Sequence, residues 1–470
     1  MGKNNDALIF HMSPQDIQKK IEQYLPVRKE EKDKLGEVFT PQKLIEEMMD
    51  KLPPRVWKDP NLKWLDPANG IGNFPMVVYT RLMEGLKETI PDKSRRSNHI
   101  LTKMIYMCEI NPKNVKISRR IFGPEANICC CDFLNQQDKW SKQFGIDKFD
   151  LIIGNPPFQK EQEGKREGGY GGRTLWDQFI INSLELLNPN GFLTFINPPP
   201  WRKPENRLYK LMTQDNQLLY LHIFGEKQGQ QLFDVSQRVD LYLIEKKPKY
   251  KNTIVIDELG NPNDLDLSKW SFLPNYDFRN ILKIMTTEDN GIKVIYSRGD
   301  YGTDKKNMKA SKTDVFKFPV VHTITLEGLG FWYTNDKSKG HFGVPKVLLN
   351  FNRHQYPVND YDGKYGMSQI TFGIPITSKK QGDDIVKAIN TDEFKEIIKA
   401  TKWGAFQTDW RMFKYFKPDF YKSFLGKSNA ATKIQAVTRG KQTRKKINTT
   451  KKGGYRKNNT TKRKGHRKTK

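Results

Sequence analysis

Seven short apolar runs, at residues 63–66, 104–110, 127–132, 151–155, 192–197, 219–224 and 240–244, constrain the fold of this chain more than any other feature. Amphipathic stretches such as 176–187 and 204–212 lie between them. Strand patterns alternating with helical ones predict an α/β chain built on a doubly wound, mostly parallel sheet. In such sheets ligands bind outside the carboxyl ends of the strands. The polar motifs of this chain fall at those ends.

The run Phe149-Asp150-Leu151-Ile152-Ile153-Gly154 stops in Asn155-Pro156-Pro157-Phe158. Asn-Pro alone is a turn signal. Behind a buried strand it also places an amide, two prolyl residues without N–H groups and a flat ring at one mouth. That set suits an exocyclic amino group on a planar ring: carbonyl oxygens accept its two hydrogens, and the aromatic face stacks on the ring.

Three other strand ends suit a nucleoside. Asp66-Pro67-Ala68-Asn69-Gly70-Ile71-Gly72-Asn73-Phe74 leads from a strand through a glycine loop into a helix. Glycines there let backbone approach a ligand closely. Glu109 closes the second strand, where an acid can accept both hydroxyls of a ribose. Asp132-Phe133 closes the third, where an acid can accept an adenine amino group and the ring can lie on the base. A dinucleotide fold wants Gly-x-Gly-x-x-Gly at this turn. Here the third glycine is missing, which favours a nucleoside without phosphates. Read singly, each acid is more often a helix N-cap or a solvated loop charge than a ligand; the ordered series favours the ligand reading.

The formal charge is +28 on 470 residues, and 36% of the residues are hydrophobic, enough for a sizeable core. Residues 433–470 hold sixteen Lys/Arg and no acid, leaving +12 on the rest. A polyanionic partner is expected, with nucleic acid foremost and binding sensitive to salt. The four cysteines, Cys108 and Cys129-Cys130-Cys131, have no zinc or disulfide spacing. They are expected to pack as small hydrophobes, and no metal is expected. No apolar run approaches the roughly 18 residues of a membrane span, and the N-terminus lacks a signal-peptide pattern. A soluble intracellular, monomeric protein is expected.

These motifs, in this order, resemble the γ-class adenine-N6 DNA methyltransferases of type I, IIG and Eco57I-like restriction–modification systems. Phe39-Thr40-Pro41 resembles the family's N-terminal motif, and Asp66-Pro67-Ala68-x-Gly70-x-Gly72-x-Phe74 its first core motif. Residues 190–196 resemble a later strand motif, and Leu232-Phe233-Asp234-Val235 the segment whose aromatic faces the far side of the target base. Ile71 departs from the usual Ser. The resemblance covers about 36–247. It implies a seven-stranded S-adenosylmethionine-dependent methyltransferase fold with a smaller α+β DNA-recognition domain. It also implies S-adenosylmethionine as cofactor, held by Phe39, Thr40, Pro41, Asp66, Pro67, Ala68, Gly70, Gly72, Glu109, Asp132 and Phe133. Double-stranded DNA is the implied partner. Asn155, Pro156, Pro157 and Phe158 become the catalytic set, and Phe158 and Phe233 stack on a flipped adenine. The roughly 35 residues before the first motif are too few for a fused nuclease.

Four segments follow: a helical arm at 1–35, the catalytic domain at 36–247, a target-recognition domain at 248–426 and a basic tail at 427–470. The segment 160–173 reads either as a lid beside the target base or as a solvated connector. The aromatic-basic stretch 403–416 reads as core or as a DNA contact. In the tail, Ile434-Gln435 with Arg439, Gly440 and Arg444 fits an IQ pattern for a calmodulin-like partner; non-specific nucleic-acid binding is the plainer reading. The basic terminus suits a nuclear or large-DNA-virus setting. Rival readings are an RNA or protein-glutamine methyltransferase of the same fold, or a basic scaffold without activity.

Overall fold

The computed structural model describes residues 40–159, 174–233, 236–297, 307–351, 355–404 and 408–426, with isolated positions in 8–19 and Tyr301. Phe39, most of the N-terminal arm, the segment 160–173, Asp234-Val235 and the basic tail with its IQ pattern lie outside the described residues. The described parts of Met1–Tyr296, Asn350–His354 and Glu396–Lys417 form one compact unit, and those of Ser297–Leu349, Gln355–Lys395 and Pro418–Lys470 form another.

The first unit holds a nine-stranded sheet of order β3-β2-β1-β4-β5-β7-β6-β8-β9. Its first seven strands are β1 (Trp64–Asp66), β2 (Ile105–Glu109), β3 (Asn127–Cys130), β4 (Phe149–Gly154), β5 (Leu187–Asn197), β6 (Gln217–Phe224) and β7 (Val239–Glu245). All seven expected runs are strands. β3, β2, β1, β4 and β5 run parallel, and β7 is antiparallel to both β5 and β6. This is the expected doubly wound, mostly parallel sheet. Strand order reverses between β1 and β4, the switch point where such sheets open a binding crevice.

Alternation of side chains builds two cores. Trp64, Ile105, Met107, Ile128, Leu151 and Ile153 pack one face against the helices Gln42–Met49, Asn73–Gly85 and Pro112–Phe122. On the other face Tyr106 and Phe149 meet Trp140 and Phe144 of the helix Gln137–Phe144. The helix Pro112–Phe122 shows why these elements start and stop where they do. The Asn111 side chain caps it at Lys113 N–H, Pro112 fits its first turn, and Gly123 ends it at φ 93°. The cysteines pack as expected: Cys108, Cys129 and Cys131 are buried and free.

The expected boundary at Lys247 does not fall there. Two further strands, β8 (Thr253–Ile256) and β9 (Pro262–Leu265), extend the same sheet, β8 running parallel to β6. The basic turn that suggested a linker is tied down: Lys249 pairs with Asp266 at 2.8 Å, and the Gln217 side chain accepts the N–H groups of Tyr250 and Lys251. The aromatic stretch 403–416 is core in its described part. Trp403, Met412, Phe413 and Phe416 are buried, and the Trp403 indole donates to the Leu273 carbonyl at 2.8 Å.

The second unit is α+β. One sheet has the order β10-β12-β11-β15, from β10 (Met308–Lys309), β11 (Phe318–Thr325), β12 (Gly328–Thr334) and β15 (Gly366–Met367). Another has the order β14-β13-β16, from β13 (Lys346–Asn350), β14 (Val358–Asp360) and β16 (Thr371–Pro375). The helix Asp392–Ala400 begins where Thr391 Oγ1 accepts from Phe394 N–H at 3.2 Å.

Candidate active site

β1 ends in Asp66, whose side chain is 2% exposed. Its Oδ1 accepts from Ala68 N–H at 3.1 Å, while its Oδ2 is buried without a partner. Burial pushes this carboxyl up to about 8; the Ala68 bond opposes the shift and the nearby Glu109 charge adds to it. An unliganded Asp66 therefore carries its proton at neutral pH. Pro67 is buried and Ala68 half-buried beside it.

The glycine loop is held from β2. Glu109 Oε2 accepts from Gly70 N–H at 2.7 Å and its Oε1 from Asn111 N–H at 2.8 Å, so the expected ribose acid also fixes the loop. Gly70 takes φ 57° with open space where a side chain would stand; Gly72 takes φ 99°, and a Cβ there would sit 2.4 Å from the Phe122 ring. Gly72 starts the helix Asn73–Gly85 without a side-chain cap. Two residues of the loop were not singled out from sequence. Asn69 donates to Ser118 Oγ at 2.8 Å, leaving its Oδ1 buried and unpartnered, and Asn73 Oδ1 is likewise unpartnered. Both sit inside the Asp66–Phe74 motif, so position within it was the available signal.

β4 ends against this loop. A Cβ on Gly154 would lie 3.0 Å from Asp66 Oδ1, so only glycine lets the two strand ends approach this closely. Asn155 follows, and its Nδ2 donates to Thr40 Oγ1 at 3.2 Å. Its Oδ1 is buried with no partner. Thr40 is itself buried, and Pro41 leads into the helix Gln42–Met49. Pro156 is buried and Pro157 half-buried. The Phe158 carbonyl accepts from Leu175 N–H at 3.1 Å, and Gln159 bridges to Thr174. Phe158 packs against an apolar cluster that contains Phe233, at the end of the helix Glu226–Phe233.

Asp132 and Phe133 are placed differently from the expectation. Asp132 accepts from the N–H groups of Leu134 and Asn135 and from the Asn135 side chain at 2.7 Å, capping its own turn. Phe133 is 4% exposed and stacked against Trp140 and Phe179, with ring centroids 5.9 and 5.6 Å apart. The ring belongs to the core beneath the strand end, because a helix on either side of it supplies an aromatic partner.

A family model described as the Eco57I restriction-modification methylase matches residues 103–230, the span from β2 to the helix that carries Phe233. The chain is also 27% identical to an uncharacterised adenine-specific methylase of Mycoplasma pneumoniae, over 35% of this chain and 55% of the relative. The chain thus spans about half the length of the curated relative it matches. Among solved structures it is similar to the type I restriction enzyme EcoKI M protein, at 14% identity over 47% of this chain and 48% of that one, with a TM-score of 0.36. It is similar to the DrdV–DNA complex at 11% identity over 83% and 56% of the two chains, with a TM-score of 0.48. For the type ISP enzyme LlaBIII bound to DNA the values are 13%, 77%, 35% and 0.48.

Among the described residues, no cluster of His, Cys, Asp or Glu suits a metal ion, and no helix is long and apolar enough to cross a membrane.

Proposed function

We propose that this chain transfers a methyl group from S-adenosylmethionine to N6 of a flipped-out adenine in double-stranded DNA. The observation that carries the reading is the fixed amide of Asn155. Its nitrogen is bound to Thr40, and its carbonyl oxygen is buried, oriented and without a partner. Buried polar atoms in native structures nearly always have partners, and an orphan at a strand end calls for a ligand donor.

The residues present fit the cofactor. Asp66 Oδ2, Asn69 Oδ1 and Asn73 Oδ1 are buried acceptors without partners, a set suited to an ammonium group such as that of a methionine moiety. Glu109 stands at the next strand end for a ribose, and Gly70 leaves open space for close approach. Bound S-adenosylmethionine supplies an electrophilic methyl group.

The target amino group is conjugated to its ring and is a poor nucleophile. Asn155 Oδ1 and the Pro156 carbonyl accept its two hydrogens, which draws the nitrogen toward tetrahedral geometry and frees its lone pair. No strong base is needed for that step, and oriented acceptors act on charge that develops as the bond forms. A base in a duplex must leave the stack to reach such a pocket. Phe158 and Phe233 then flank it. The second unit reads the site, as part of a restriction–modification system or derived from one.

The test is incubation with labelled S-adenosylmethionine and, in parallel, duplex DNA, RNA or a glutamine peptide. Label recovered as N6-methyladenine from DNA supports the reading. Label recovered only from RNA or glutamine overturns it.

A further inference from the structure

One end of the four-stranded sheet in the second unit gathers three lysines that form no ion pair among the described residues. β12 ends at Thr334, which lies between Met308 of β10 and Phe318 of β11 in register. Lys309 is in β10, Lys317 immediately precedes β11, and Lys337 follows β12 by three residues. All three side chains are exposed.

Their ammonium groups sit on rings. Lys337 lies 4.5 Å and Lys317 5.5 Å from the centroid of Phe318, and Lys309 lies 5.8 Å from that of Phe316. Among the described residues none of the three has a carboxylate within ion-pair distance. The nearest acid in sequence to Lys337 is Asp336, whose carboxylate is taken up by Ser338 N–H at 2.8 Å. Two like charges therefore share the Phe318 ring, and no carboxylate among the described residues forms an ion pair with either. A ring face holds a lysine stem and orients its head but leaves the charge whole.

Some other lysines of the same unit are paired with acids. Lys346 is paired with Asp360 at 2.9 Å, Lys379 with Asp383 and Lys380 with Asp384 at 2.8 Å. The contrast marks the end of the β10-β12-β11 sheet as a place where an outside polyanion completes the pairing. Lysine is a point charge, suited to phosphate oxygens but not to bidentate reading of base edges. Such contacts position a duplex without reading its sequence.

We propose that Lys309, Lys317 and Lys337 form a contact surface for the phosphate backbone of double-stranded DNA. This rests on the DNA substrate proposed above. Each neutralised phosphate steepens the fall of log K with log salt by about 0.9.

The test uses the full chain, with duplex binding followed by fluorescence anisotropy across a range of salt. In a K309Q/K317Q/K337Q variant the slope should be shallower than wild type by about 2 to 3. Methylation at saturating DNA should be unchanged, and a K309R/K317R/K337R variant should keep the wild-type slope. If wild type binds and methylates DNA while the glutamine variant keeps its slope within about half a unit, this surface is wrong and the methylase reading stands. If wild type binds no duplex at any salt, the DNA reading itself fails and takes this surface with it.

Discussion

Thr40 Oγ1 accepts a 3.2 Å hydrogen bond from the side-chain amide of Asn155, 115 residues later in the chain. This bond fixes which end of the amide faces the site. A T40V substitution keeps the shape and removes the acceptor. A typical neutral hydrogen bond contributes about 0.5–1.5 kcal/mol, so kcat should fall by roughly 2- to 12-fold. Cofactor affinity is followed beside it, because Thr40 also belongs to the expected cofactor set. A stopped assay of N6-methyladenine formation beside a binding titration separates the two.

Asp66 gives a pH signature. Its folded carboxyl is raised from 3.8 to about 8, so the folded protein keeps a proton that the unfolded chain releases near pH 4. The associated stability is complete below that pH and is lost as pH climbs toward 8. A D66N variant should flatten this part of the stability profile in urea unfolding at a series of pH values. Binding a cationic moiety at Asp66 should also expel about one proton between pH 5 and 7. Calorimetry in buffers of different ionisation heat would detect that release in wild type and not in D66N.

The two loop glycines should differ. Gly72→Ala meets the Phe122 ring at 2.4 Å and holds φ at 99°, while Gly70→Ala meets nothing within 4 Å at φ 57°. The first should cost roughly 2–5 kcal/mol from strain and overpacking together. The second should cost about 1 kcal/mol. Denaturant unfolding of both variants checks the order.

Phe133→Ala tests whether that ring is core. Removing a buried aromatic costs about 3–5 kcal/mol. The variant should unfold much earlier than wild type while its cofactor affinity, measured well below the transition, stays within a few-fold. A large loss of affinity at unchanged stability would return Phe133 to the ligand.

The sheet was legible because each strand is a short apolar run closed by polar residues, and both patterns are local. Asn155, Asp66 and Glu109 stand at strand ends for that reason. Phe133 was misplaced because its environment is tertiary: Trp140 and Phe179 come from two separate helices. Asp132 takes the local role that its residue type also allows, since an acid two residues before a free backbone N–H caps its own turn. The extension of the sheet past Lys247 was hidden by a basic turn whose partners, Asp266 and Gln217, lie 17 residues after Lys249 and 33 before Tyr250.

The central claim is that the open carbonyl oxygen of Asn155 carries the transfer. It is tested most directly by single-turnover formation of N6-methyladenine in duplex DNA by wild type and Asn155→Ala, with S-adenosylmethionine affinity measured on both. The prediction is a rate lowered by about a hundredfold or more at nearly unchanged affinity. A variant rate within about tenfold of wild type would contradict it.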